Sequence, residues 1–154
     1  MVKINVSSSL NSTDFTAQLH ALGLNVYHYN NDMHVDGTPS QVSAGIALAS
    51  TYNFKIGQDK DKGTAINLDR AKALVAPVLF NGNTYDADDY SVANLTATVA
   101  AFNAGVPIPS SFTWRTSDNQ DIAMTLPQLI SLAGAVLTSR LAAYKASWAA
   151  KAAL

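Results

Sequence analysis

No cysteine and no glutamate occurs among these 154 residues, and only 14% of them are charged. The first absence excludes disulfides, thiolate zinc sites and a cysteine nucleophile. The second leaves aspartate as the only side-chain carboxylate, so no Glu-based acid–base pair can form. Charge well below the usual quarter hints at a surface partly covered by partners. With a net charge of −1, no general attraction to nucleic acid follows. No unbroken apolar run approaches the ~18 residues of a membrane span. Residues 1–7 lack the apolar core of a signal peptide, so action without signal-dependent secretion is expected. There is no Gly-x-Ser-x-Gly elbow and no glycine-rich phosphate loop. A carboxylate pair for glycan cleavage is not recognisable either. The sequence therefore points to no catalytic residue, no cofactor and no metal.

What is present is an apolar fraction of 48%, enough for a core, arranged around the last forty or so residues. Phe112 and Trp114 alternate with polar residues, Thr116–Gln120 is a turn cluster, and Ile122 and Met124 resume the alternation. That pattern predicts a β-hairpin. Thr125 with Gln128 makes a capping box, and Met124 with Leu129 has the spacing of a hydrophobic staple. A long helix follows. Its apolar positions, Leu126, Ile130, Ala133, Leu137, Leu141, Tyr144 and Trp148, fall at steps of four, three, four, four, three and four. This is an eleven-residue repeat, nearly matched to a straight helix, and it predicts that this face packs. The partner is either the rest of the chain or another copy of it.

Upstream, Val2, Ile4 and Val6 predict a strand, residues 7–12 a polar loop, and Asp14–Leu22 a helix with Phe15, Leu19 and Leu22 on one face. Strands follow at Asn25–Tyr29 and Met33–Asp36 around an Asn-Asn-Asp turn. A capping box at Thr38–Gln41 starts a helix to about Tyr52, with Val42, Ile46 and Ala49 inward. The result is a small β-α-β-β-α sandwich over residues 1–55. Residues 56–65 are polar with a glycine near each end and predict a linker. Asp59-x-Asp61-x-Gly63 opens like a calcium loop, but no acid closes the twelve-residue pattern.

The remaining residues, 66–154, predict three helices and two hairpins. The first helix runs over Leu68–Val78. Asn81-Gly82 marks a hairpin turn. Asp86 is positioned to cap a helix to about Asn103, packed through Tyr90, Val92, Leu95, Val99 and Phe102. The two hairpins are expected to pair into one sheet. The fold class is α+β.

Three groups of residues offer chemistry and are weighed against plainer roles. His28 and His34 flank a tight turn beside Asp32 and Asp36, within reach of a shared metal if they face each other. The plainer role is a polar hairpin face. His20 reads as a surface or edge residue. Arg140, Lys145 and Lys151 make the last helix basic, which suits the dipole at a helix C-terminus or an acidic partner.

The second half resembles a phage tail domain family of unknown function, found mostly in tail-fibre and tail-fibre-assembly proteins. The matching residues are Asn67–Ala73, Phe80–Asp88, the string Thr113-Trp114-Arg115-Thr116-Ser117-Asp118-Asn119-Gln120-Asp121, and Met124–Leu126 with Leu129. The resemblance covers about residues 66–154. It implies a virion or virion-assembly setting, and it carries no catalytic residues. The expected function is structural: a tail component that attaches or adapts a fibre or baseplate protein, located in the virion tail after assembly in the host cytoplasm. The alternative is a tail-fibre assembly chaperone not retained in the particle. The expected partners are other tail proteins, with a homo-oligomer through the last helix as a further option. Trp114, Arg115, Asp118, Asn119 and Asp121 are candidates for pinning the hairpin or contacting a partner. Leu137, Leu141, Tyr144 and Trp148 are candidates for an oligomer seam.

Overall fold

The computed structural model describes residues 1–4, 6 and 12–154. Asn5 and the expected polar loop at residues 7–11 lie outside the described residues. The fold is α+β, and contacts divide it into two compact units, Met1–Ala65 with Leu154, and Ile66–Ala153.

Unit 1 contains β1 (Val2–Ile4), α1 (Thr13–Ala21), β2 (Asn25–Tyr29), β3 (Asp32–Asp36), α2 (Pro39–Thr51) and the start of α3 (Phe54–Leu74). The three strands form an antiparallel sheet in the order β1-β3-β2. Asn30 and Asn31, with φ of 49° and 62°, link Tyr29 to its cross-strand partner Asp32. This is the left-handed pair that a two-residue hairpin demands. Ser12 caps α1 by accepting the Phe15 N–H. Thr38 and Gln41 make the reciprocal bonds of a capping box on α2. Ile4, Phe15, Leu19, Leu24, Met33 and Val35 form the buried core, with Tyr52 and Phe54 packed on it. Each such side chain contributes roughly 1.5–3 kcal/mol by leaving water. Ile46 was expected inward and is instead 48% exposed. Gly45 takes the inward position, because a side chain there would meet Leu24 and Leu19.

The expected linker at 56–65 is helical. Helix α3 runs unbroken over 21 residues, and of these Gly57 is the buried one. Polar bonds replace an apolar face. Lys55 pairs with Asp59 one turn on. Lys60 Nζ donates to Asp14 Oδ1 at 3.0 Å, and the Thr13 N–H donates to Asp61 Oδ2 at 2.7 Å. Tyr52 donates its hydroxyl proton to Asp14 Oδ2 at 2.6 Å. A Cβ on residue 57 would collide with the Tyr52 and Ser12 hydroxyls. The glycine that reads as a linker is thus set by a close approach. The same helix removes the calcium-loop reading of Asp59–Gly63.

Unit 2 contains the rest of α3, β4 (Val78–Phe80), β5 (Asn83–Tyr85), α4 (Asp89–Asn103), β6 (Thr113–Arg115), β7 (Asp121–Ala123) and α5 (Leu126–Ala152). The expected helix at 68–78 stops at Leu74, and Leu68 is 58% exposed. The cap of α4 is Asp88 and not Asp86. Its carboxylate accepts the N–H groups of Tyr90 and Ser91. The two hairpins form separate two-stranded sheets and not one. They meet through a single backbone bond from the Ser117 N–H to the Thr84 carbonyl, 2.9 Å. Val78, Tyr85, Ala87, Leu95, Met124, Leu129, Leu132 and Val136 make the core. Burial pushes the Tyr85 phenol pKa up. Tyr90, expected in this packing, is 77% exposed.

Candidate functional site

The hairpin string is built as a folded unit first. Asn119, at φ 66°, lies in the left-handed region and closes a three-residue turn. The Thr116 N–H donates to the Gln120 carbonyl at 2.9 Å, and the Asn119 N–H donates to the Thr116 carbonyl. The buried Thr116 hydroxyl accepts the Gln120 N–H and lies within bonding distance of the Asp118 carboxylate. Arg115 and Asp121 form a two-pronged pair across the strands, both bonds 3.0 Å. That geometry is the strong form of a charged hydrogen bond. Arg115 holds the Asp121 carboxyl below the usual carboxylate range, and Asp121 in turn raises the Arg115 pKa. Asp118 therefore belongs to Thr116 and stands outside the Arg115–Asp121 pair. Trp114 is half-buried against the core and lies opposite Ile122.

These residues edge an open cleft of about 400 Å³, lined by Asp86, Tyr90, Asn94, Trp114, Arg115 and Asn119 among others. It offers the exposed Tyr90 ring, two amide side chains and an indole on a pinned frame. Tyr90 was read from sequence as a packing residue. Its place one position after the first residue of α4, beside the Asp88 cap, is the signal that turns it outward.

The last helix presents the second candidate surface. Its capping box holds through the Thr125 N–H, which donates to Gln128 Oε1 at 2.8 Å. Met124 and Leu129 are both buried, as the staple requires. The inward face, however, is Leu129, Leu132, Val136 and Ser147. The face expected from spacing lies one residue further on, a rotation of about 100°. Ile130, Leu137, Leu141 and Trp148 are 45%, 58%, 48% and 59% exposed. Tyr144 sits half-buried between the faces, its ring 5.6 Å from the Arg70 guanidinium. Arg140 bonds away from the stripe, to Asp89 at 2.7 Å and to the Ala87 carbonyl. The 27-residue α5 contains an 18-residue window of mean hydropathy 1.3, long and apolar enough by composition to cross a membrane. Its inward face is committed to the core of unit 2.

The two histidines do not converge. Strand register sets His28 opposite Met33, and His34 opposite Tyr27. Alternation along each strand then places the two imidazoles on opposite faces of the sheet. Among the described residues no group of three or more His or Asp side chains is gathered to hold a metal.

Residues 58–154 match the model of a family described as a domain of unknown function, DUF4376, and the chain belongs to that family. None of the curated proteins compared matches the chain, and no solved structure does.

Proposed function

We propose that the chain is a structural protein of a bacteriophage tail that attaches or adapts a fibre or baseplate component through protein contacts. The tail setting rests on the resemblance carried by Thr113–Asp121 and the Asn81-Gly82 hairpin. The observation that carries the contact role is the pinned, open cleft beside Tyr90. Tyrosine and arginine are favoured at protein interfaces, because they combine large contact area with directed polar groups. The cleft groups are suited to recognition: Arg115 is already neutralised by Asp121, which leaves the tyrosine ring and the Asn94 and Asn119 amides to meet a partner.

The test is co-purification of the tagged chain with co-expressed tail proteins, paired with mass spectrometry of mature particles. A tail adaptor is found in particles at fixed stoichiometry and retains a fibre or baseplate protein. Tyr90→Ala combined with Asn94→Ala weakens that retention while the fold is kept. A chain that holds a fibre protein but is missing from particles is an assembly chaperone. Turnover of a host glycan by the isolated protein contradicts both.

A further inference from the structure

Asp86 reads from sequence as a helix cap, and the fold gives that role to Asp88. Among the described residues the Asp86 carboxylate has no hydrogen bond and no ion pair. Its backbone is nevertheless held, because its neighbours Tyr85 and Ala87 are each 1% exposed. Asp86 itself is exposed and lines the cleft beside Tyr90.

The polar groups of that cleft fall into two sets. Some are satisfied within the fold: the Ser91 hydroxyl donates to Asp88, Arg115 donates to Asp121, and the Thr116 hydroxyl accepts the Gln120 N–H. The Asp86 carboxylate, the Tyr90 hydroxyl and the side-chain amides of Asn94 and Asn119 have no such partner among the described residues. Tyr90 and Asn94 are four apart on α4 and so share one helix face, while Asn119 comes from the hairpin turn.

Charge decides what this set can receive. Arg115 is neutralised by Asp121, so Asp86 is the one uncompensated charge among the described residues of the lining. An anion would meet that carboxylate with no free cation beside it. A cation meets the carboxylate, the amide carbonyls and the negative face of the Tyr90 ring, which is 77% exposed. Among protein cations arginine matches these groups. Its planar guanidinium can lie flat on a ring while its N–H fork bonds a carboxylate and carbonyls, whereas lysine offers only a compact point charge.

We infer that this cleft receives an arginine side chain of the protein partner, its guanidinium stacked on Tyr90 and paired with Asp86. The inference rests on the contact role proposed above and adds the chemistry that the partner must present.

The test is a nuclear magnetic resonance titration of the full chain with end-blocked glycyl-arginyl-glycine, beside its citrulline counterpart, in which a neutral urea replaces the guanidinium. Saturable shifts are expected at the Asn94 and Asn119 side-chain amides. The citrulline peptide should bind about fivefold more weakly, the scale of one exposed cation contact. Asp86→Asn should weaken the arginine peptide by a similar factor and leave the citrulline peptide unchanged, whereas a purely structural role for Asp86 moves both or neither. Equal binding of the two peptides overturns the inference, as does an arginine affinity indifferent to Asp86→Asn. Tighter binding of the aspartyl peptide, or no shift at the cleft at millimolar peptide, also overturns it. Co-purification separates this from the tail reading. A tail protein lost with Tyr90→Ala and Asn94→Ala but indifferent to Asp86→Asn keeps the contact role and overturns the arginine. Specific arginine binding with no tail protein retained does the reverse.

Discussion

Helices α3 and α5 are the two longest in the molecule, 21 and 27 residues, and they are held by opposite means. Helix α3 buries a glycine and is tied at its N-terminal end by Lys60, which donates to Asp14, and by Asp61, which accepts the Thr13 N–H. Helix α5 buries Leu129, Leu132 and Val136 and still shows four large apolar side chains to water. One helix has less apolar surface than a packed helix normally needs, and the other has more than its unit uses. The first case shows that tertiary polar bonds and i,i+4 pairs can hold a helix that lacks a stripe. The second shows that a clean helical repeat marks a face for burial without saying whether the cover is this chain.

The contrast breaks most sharply at Leu132. Leu132→Ala should destabilise unit 2 by roughly 2–5 kcal/mol, the range for a fully buried leucine, read by urea unfolding. Gly57→Ala should cost about 1–3 kcal/mol through overpacking against Tyr52 and Ser12, with the loss of amide protection confined to unit 1. Leu137→Ser should change stability at low protein concentration by less than about 0.5 kcal/mol, as a surface position does. A loss on the scale of Leu132→Ala would mean that the outward stripe is part of the core.

The smallest expected effect is on pH. Hydrogen bonds from Tyr52, then Lys60, hold the Asp14 pKa below its usual 3.8. Its contribution to folding is therefore complete above the ordinary carboxylate range and is lost as pH falls through the lowered folded value. Acid melting curves of wild type and Asp14→Asn should differ near neutrality and converge below that value. Unit 2 carries the same kind of dependence through Asp121, lowered by Arg115, and Asp88, lowered by its bonds from Ser91.

Much of this architecture was legible in the sequence. The β-α-β-β-α order, the Asn81-Gly82 turn, the 112–124 hairpin and the α5 capping box follow from local chemistry that acts over a few residues. The misreadings share a cause. Gly57 and Gly63 in a charged stretch signal a linker, because the reason for Gly57, the Tyr52 hydroxyl, comes from another element. In the second half of α5 the inward face thins to Arg140, Ala143 and Ser147, so the large residues one position further on dominate the pattern. Asp86 and Asp88 are both able to cap, and only the path of the chain out of β5 decides between them. The cleft beside Tyr90 assembles residues from α4 and the hairpin, and no local spacing announces it.

The most direct test of the two-faced reading of α5 is the reactivity of a single thiol placed on each face. The chain has no cysteine, so Leu132→Cys and Leu137→Cys can each carry one. Leu132 is fully buried and Leu137 is 58% exposed. At low protein concentration the thiol at position 137 should react with a thiol reagent as fast as a free thiol, and the thiol at 132 only as the unit opens. Protection at 137, or ready reaction at 132, would contradict the account.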